Sequence, residues 1–201
     1  MAATAKTKDR IIGASAELFR RQGYTGTGMK QIVAEASAPF GSVYHFFPGG
    51  KEQLGGEVIR HSGALYELLV MAVWDAAPDV LTGLSDVFNL AAQHVRESNY
   101  ADACPIATIA LEVASTSEPL REATADVFES WFVEGTKRLT AAGIAPKRAR
   151  ELTVAVLSLL EGAFIFARAT RDERHVEIVG QAAVALVRDA LPSRRRRATR
   201  R

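Results

Sequence analysis

The chain is poor in the residues that usually carry chemistry. Among its 201 residues there is one cysteine, Cys104, so no intramolecular disulfide can form and a cystine-stapled secreted module is excluded. The four histidines, His45, His61, His94 and His175, are dispersed, and none pairs with another at metal-ligand spacing. No metal or other cofactor is expected. No nucleotide loop is complete either: Gly50-Lys51 runs into Glu52 and has His45 where a phosphate loop needs its first glycine, and Gly26-Thr27-Gly28 lacks a third glycine and a preceding strand. A nucleophile elbow and a zinc-binding helix are missing too. Together these absences argue against an enzyme. The stretch from Met1 to Lys8 is small, polar and basic with no apolar segment behind it, and no apolar run approaches a membrane span; a cytoplasmic protein is expected.

What is present is 48% hydrophobic and 24% charged, enough for a proper core, with a net charge of +2. That small figure is a cancellation. Residues 1–60 carry eight basic against five acidic side chains, residues 61–192 carry eleven against eighteen, and the last nine residues carry six arginines and no acid. A basic front on an acidic body suits a chain whose front meets a polyanion.

Apolar residues recur at three and four throughout, with no sustained alternation of the kind a strand needs, so the chain reads as all-α with about nine helices. The first spans about Thr7 to Gln22, with Ile11, Ile12, Ser15, Leu18 and Phe19 on one stripe and Gly23 as its C-cap. Thr27 is placed to N-cap a second helix that ends before Pro39. A short third runs from Phe40 to Phe47, and a long fourth from Lys51 to about Ala77. Prolines then punctuate five further pieces, 79–98, 101–115, 118–142, 146–171 and 174–191. The arginine-rich end, 193–201, cannot bury anything and is expected to be disordered.

Three short amphipathic helices at the basic end, the second and third joined by a tight turn at Ser37 to Pro39, match a helix-turn-helix whose later helix enters the DNA major groove. The residues Leu18-Phe19, Gly23-Tyr24, Thr27, Ile32-Val33-Ala34, Gly41-Ser42-Val43-Tyr44-His45, Phe47-Pro48 and Lys51-Glu52-Leu54 resemble the N-terminal signature of the TetR/AcrR family of bacterial repressors. The resemblance implies a DNA-binding domain over 1–50 and a ligand-binding and dimerisation domain over 51–192. It also implies that Thr27, Tyr44, His45 and Lys51 hold the DNA backbone, with Lys30 adding charge, and that Ala38, Pro39, Phe40, Gly41 and Ser42 form the base-reading edge. At Phe40 the family often places a polar or cationic residue; a phenyl ring offers only apolar contact, such as to a thymine methyl. Val43 and Phe47, four apart, read as core with Ile32, Leu18 and Phe19.

In the acidic body, Trp74, Phe88, His94, Ile109, Glu112, Phe128, Trp131, Phe132 and Phe164 are the candidate lining of a small-molecule cavity, with His94 and Glu112 as polar handles; the apolar members read equally as packing. Leu157, Leu160, Gly162 and Phe166 on the penultimate helix and Ala182 and Leu186 on the last form the candidate dimer face. The segment from Phe47 to Leu54 and that from Cys104 to Glu112 resemble a branch whose better-known members answer to antibiotics or flavonoids. The expected activity is that of a repressor released from a palindromic operator by an apolar or aromatic molecule. Two alternatives are a helical dimeric interaction module and a redox sensor built on Cys104.

Overall fold

The computed structural model describes residues 2–102 and 104–192. The basic end, 193–201, lies outside the described residues, and with it the expectation of disorder there. Nine helices and no strand occur among the described residues.

Helix α1 (Ala2–Gln22) begins earlier than the apolar pattern requires and buries Ile11, Ile12, Ser15, Leu18 and Phe19, the expected stripe. Ser15 sits on that stripe because its hydroxyl donates back to the Ile11 carbonyl at 2.7 Å. Gly23 ends the helix at φ +79°, and its N–H donates to the Phe19 carbonyl. Helices α2 (Met29–Glu35) and α3 (Phe40–Phe46) follow, joined by a turn in which Ser37 takes φ +47°. Arg10 of α1 donates to the Ala36 carbonyl at 3.0 Å and so fastens this turn. Ile32, Val33, Ala36, Val43 and Phe47 are buried, which fixes the faces of both short helices.

After a turn at Pro48-Gly49 come α4 (Gly50–Ala76), α5 (Val80–Glu97), α6 (Pro105–Val113), α7 (Glu118–Ala141), α8 (Pro146–Thr170) and α9 (Arg174–Ala190). Pro105 and Pro146 occupy first-turn positions, where a missing N–H costs nothing. Asp79 caps α5 by accepting from the N–H groups of Leu81 and Thr82 at 2.9 and 3.0 Å. Helix α6 is shorter than its apolar pattern. Cys104, with Sγ accepting from the Ala107 N–H at 3.4 Å, is its N-cap.

The described residues group into two compact units, one drawn from residues 2–67 and 101–128, the other from 68–100 and 129–192. The first contains α1 to α3, the first part of α4, α6 and the start of α7. Gly55 and Gly63 on α4 admit side chains of α7 there: a Cβ on Gly63 would meet Val127 at 2.4 Å, and one on Gly55 would meet Leu120 at 3.1 Å. The second unit is centred on Leu84, Phe88, Val95, Leu139, Leu152, Val176, Ala183 and Val187, where α9 packs on α5 and α8. Gly180 lets α9 come close enough that a Cβ there would stand 2.7 Å from Phe88. Arg138 of α7 donates to both carboxylate oxygens of Asp75 at 2.7 and 2.5 Å, fastening the end of α4.

Helix α8 departs from one expectation. It is long and apolar enough to cross a membrane by length and composition, a test that a core or interface helix also passes, and 28% of its most apolar stretch is buried inside the chain.

Candidate nucleic-acid interface

Helix α3 divides its residues sharply. Val43 is fully buried, as is Phe47 just beyond the helix, whereas Phe40 is 46% and Tyr44 48% exposed. Those two rings meet at a 55° tilt with centroids 5.7 Å apart. Pro39, the N-cap, and Gly41 and His45 are exposed, and Ala38 and Ser42 are half-buried. A side chain at Gly41 would enter open space. The His45 ring meets Phe46 edge-on at 5.0 Å. Eight of the ten residues expected at DNA, from Ala38 to Ser42 together with Tyr44, His45 and Lys30, thus lie on the exposed or half-exposed surface of α2, the turn and α3.

Thr27 is placed differently from its expected cap. Gly28 is the N-cap of α2, without a side-chain bond. Thr27 is 1% exposed, and its hydroxyl donates to the Gly23 carbonyl at 2.7 Å while accepting from the Gln22 amide at 3.1 Å. The carbonyls at the end of α1 have no partner within the helix, and Thr27 satisfies one just beyond them. Its side chain therefore shapes the loop and does not reach outward to a phosphate.

Lys51 lies half-buried with Nζ 4.3 Å over the Tyr24 ring. Partial burial pulls its ammonium below the usual lysine range, with the Glu112 carboxylate working the other way. Burial also pushes the Tyr24 phenol up. Glu112, expected as a ligand handle, is engaged within the protein instead. Its two carboxylate oxygens accept from the backbone N–H groups of Tyr24 and Thr25 at 3.1 and 2.7 Å. This is a carboxylate seated in consecutive peptide donors, and Gly23 leaves it room, because a Cβ there would stand 2.2 Å from Oε1. Two further ties secure the α6 region to the same unit. Asp102, before α6, pairs with Arg20 of α1, and Ser117, after it, donates to Glu52 at 2.6 Å.

Arg10, Asp102 and the seat of Glu112 escaped sequence reasoning. Their partners lie 26, 82 and 88 residues away, and no local spacing announces such pairs.

The remaining candidate ligand residues are divided between the two units. Ile109 and Phe128 fall in the first unit, Ile109 as core at 1% exposure. Trp74, Phe88, His94, Trp131, Phe132 and Phe164 fall in the second. Phe88 is core, and Trp74 and Phe164 pack against that core. His94 is exposed. The Arg150 guanidinium covers the Phe132 ring at 4.6 Å. The Trp74 indole Nε1 is buried without a hydrogen-bond partner. An open groove of 810 Å³ in this unit is lined by other residues, Glu129, Val133, Thr136, Lys137, Thr140 and Arg150 among them. Cys104 is buried as the α6 cap, a structural place for the thiol weighed as a redox sensor.

On the expected dimer face, Phe166 is 61% exposed, Ala182 and Leu186 are exposed, and Leu157, Leu160 and Gly162 are half-buried. Ile165 and Ile178 extend this apolar surface.

A three-helix head whose third helix keeps an exposed edge, in a chain that is helical among its described residues, has the layout of a helix-turn-helix regulator of transcription. Residues 11–58 match the family described as bacterial regulatory proteins, tetR family, and residues 81–182 match the C-terminal domain of LmrA/YxaF-like transcriptional regulators. The chain belongs to the TetR family. It is 31% identical over 188 residues to the HTH-type transcriptional regulator YxaF of Bacillus subtilis, covering 94% of this chain and 98% of that one. It is 30% identical over 166 residues to the HTH-type transcriptional regulator LmrA of the same organism, covering 83% and 88%. A regulatory TetR protein of Rhodobacter sphaeroides shares the fold at TM-score 0.78 and 20% identity, over 89% of this chain and 97% of that one. A TetR-family regulator of Cytophaga hutchinsonii does so at TM-score 0.78 and 19% identity, over 96% and 99%.

Proposed function

We propose that this chain is a cytoplasmic, ligand-responsive repressor that binds a palindromic operator as a homodimer. Residues 1–50 are the reading domain in this proposal and 51–192 the regulatory one. The observation that carries it is the presence of two exposed surfaces: the α3 edge from Pro39 to His45, and the apolar face of Ile165, Phe166, Ile178 and Leu186 on α8 and α9. A head this small contacts few base pairs, and a two-fold dimer placing two heads roughly 34–36 Å apart supplies the missing length. An apolar face of this kind on a helical chain suits a second copy of the same face.

In the interface so proposed, Lys30, Tyr44, His45 and Lys51 hold phosphates, and residues 38–42 face base edges. The effector is an aromatic or drug-like organic molecule, in keeping with the LmrA/YxaF-like C-terminal match. Trp74, Trp131, Phe132 and Phe164 are the candidate contacts, and the unpartnered Trp74 Nε1 offers a donor to an acceptor on the ligand. Release follows from a difference in effector affinity between the operator-competent dimer and a second arrangement.

An electrophoretic shift with DNA from upstream of the protein's own gene, repeated across salt concentrations and with a panel of aromatic antibiotics and flavonoids, tests this. A salt-dependent shift reversed by at least one compound is expected. A shift that no compound alters removes the ligand-responsive part, and no shift removes the operator.

A further inference from the structure

We infer that Phe40 sets the base preference of the operator by packing against thymine 5-methyl groups. The inference rests on the DNA-binding reading and deepens it. Direct readout in the major groove uses a short list of side chains: arginine or lysine for guanine, asparagine or glutamine for adenine, aspartate or glutamate for cytosine, and apolar groups for the thymine methyl. Helix α3 reads Phe-Gly-Ser-Val-Tyr-His-Phe and contains none of the first six. Ala38 and Pro39 before it add none. Of the amides on either side in sequence, Gln31 on α2 is held by Gln22 through bonds of 2.7 and 3.3 Å, and Gln53 on α4 accepts from the Gly49 N–H at 2.8 Å. Lys30 lies on α2, the helix of such a pair that crosses the backbone and does not enter the groove. By elimination, the chemistry left on the exposed edge is apolar, with one small hydroxyl at Ser42, a phenol and an imidazole.

The structure also shows which apolar group is available. Val43 and Phe47 are spent in the core, while Phe40 keeps nearly half its surface open. Its ring meets that of Tyr44, four residues on, at 5.7 Å and a 55° tilt, while nearly half of the side chain stays open to solvent. An outward phenyl gains most from an apolar partner, and the thymine methyl is the apolar group that the major groove displays. Gly41, with open space around it, adds no side chain that would hold the duplex away from the ring.

The test uses the full-length protein and an operator duplex obtained by selection from random DNA. Each thymine of one half-site is replaced in turn by deoxyuridine, which removes the methyl group and leaves the hydrogen-bonding edges intact, and affinity is measured by fluorescence anisotropy. One or two positions are expected at which the exchange weakens binding about four-fold, the worth of one buried methyl at about 0.8 kcal/mol. At those positions Phe40→Ala is expected to bind thymine and deoxyuridine duplexes equally, and Phe40→Leu to keep part of the difference. The exposure of Phe40 leaves the head folded in both variants, which circular dichroism checks. Wild-type binding indifferent to every methyl overturns the role of Phe40 while leaving DNA binding intact, as does undiminished sensitivity in Phe40→Ala. Selection that yields no bound duplex at all overturns the DNA-binding reading and this inference with it.

Discussion

Gly23 and Glu112 stand 89 residues apart in the chain, and each explains the other. Glycine at φ +79° ends α1, and its missing side chain is the space into which the Glu112 carboxylate reaches to accept from Tyr24 and Thr25. Gly23→Ala forces a left-handed alanine and displaces the carboxylate, so it should cost about 2 kcal/mol in urea denaturation. Combined with Glu112→Ala it should cost less than the sum, because the second change removes what the first displaces. Gly23 was legible as a cap from its place after the apolar stripe. The seat of Glu112 was not, because a glutamate on a mostly apolar nine-residue helix looks the same whether it meets a ligand, water or a distant loop. Thr27 shows the opposite failure: its position invited a capping role, and the Gly23 carbonyl at the end of α1 took its hydroxyl instead.

Most element boundaries could be read directly, because proline and glycine act on the backbone within a residue or two of where they stand. Pro105, Pro146 and Gly23 mark helix ends as expected. Helix α6 came out shorter than the expected 101–115, since Pro105 holds the residue before it, Cys104, in an extended conformation as the N-cap. The approach to α9 is likewise set by local hydrogen bonds. Asp172 accepts from the Arg174 N–H at 3.0 Å and from its guanidinium, which holds the carboxyl well below its ordinary 3.8, at about 2. A folded-state value below the unfolded one contributes stability that is present above about pH 3.8 and lost as pH falls through about 2. Thermal melts of the wild type should therefore decline in midpoint between pH 4 and pH 2, as roughly bracketed by those values, and melts of Asp172→Asn should decline less steeply over the same range.

At the scale of the molecule, the division of charge seen in the sequence corresponds to a division of labour in the proposed function: a basic reading head on an acidic body. The apolar surface of α8 and α9 was legible as a periodic pattern, but pattern alone does not tell a core helix from an interface helix. The structure separates a buried face, with Ala163, Ala167, Ala183 and Val187, from an open one, with Phe166, Ile178 and Leu186. Phe166→Glu should leave the monomer's helix content unchanged and raise the dimer dissociation constant by roughly thirty-fold, about 2 kcal/mol for an aromatic anchor. Sedimentation velocity across a concentration series checks this; a dimer of undiminished strength would move the interface elsewhere. The grouping of 101–128 with the first 67 residues also bears on engineering. A chimeric regulator spliced at the end of α3 would inherit a head whose Tyr24 and Thr25 donors had lost their native acceptor, and one spliced on α4 beyond Gly63 would also leave the Gly55 and Gly63 hollows without their α7 side chains. A transplant that keeps its operator should carry the stretch from Asp102 to Val127 along with the reading helices, as two pieces of sequence that fold as one part.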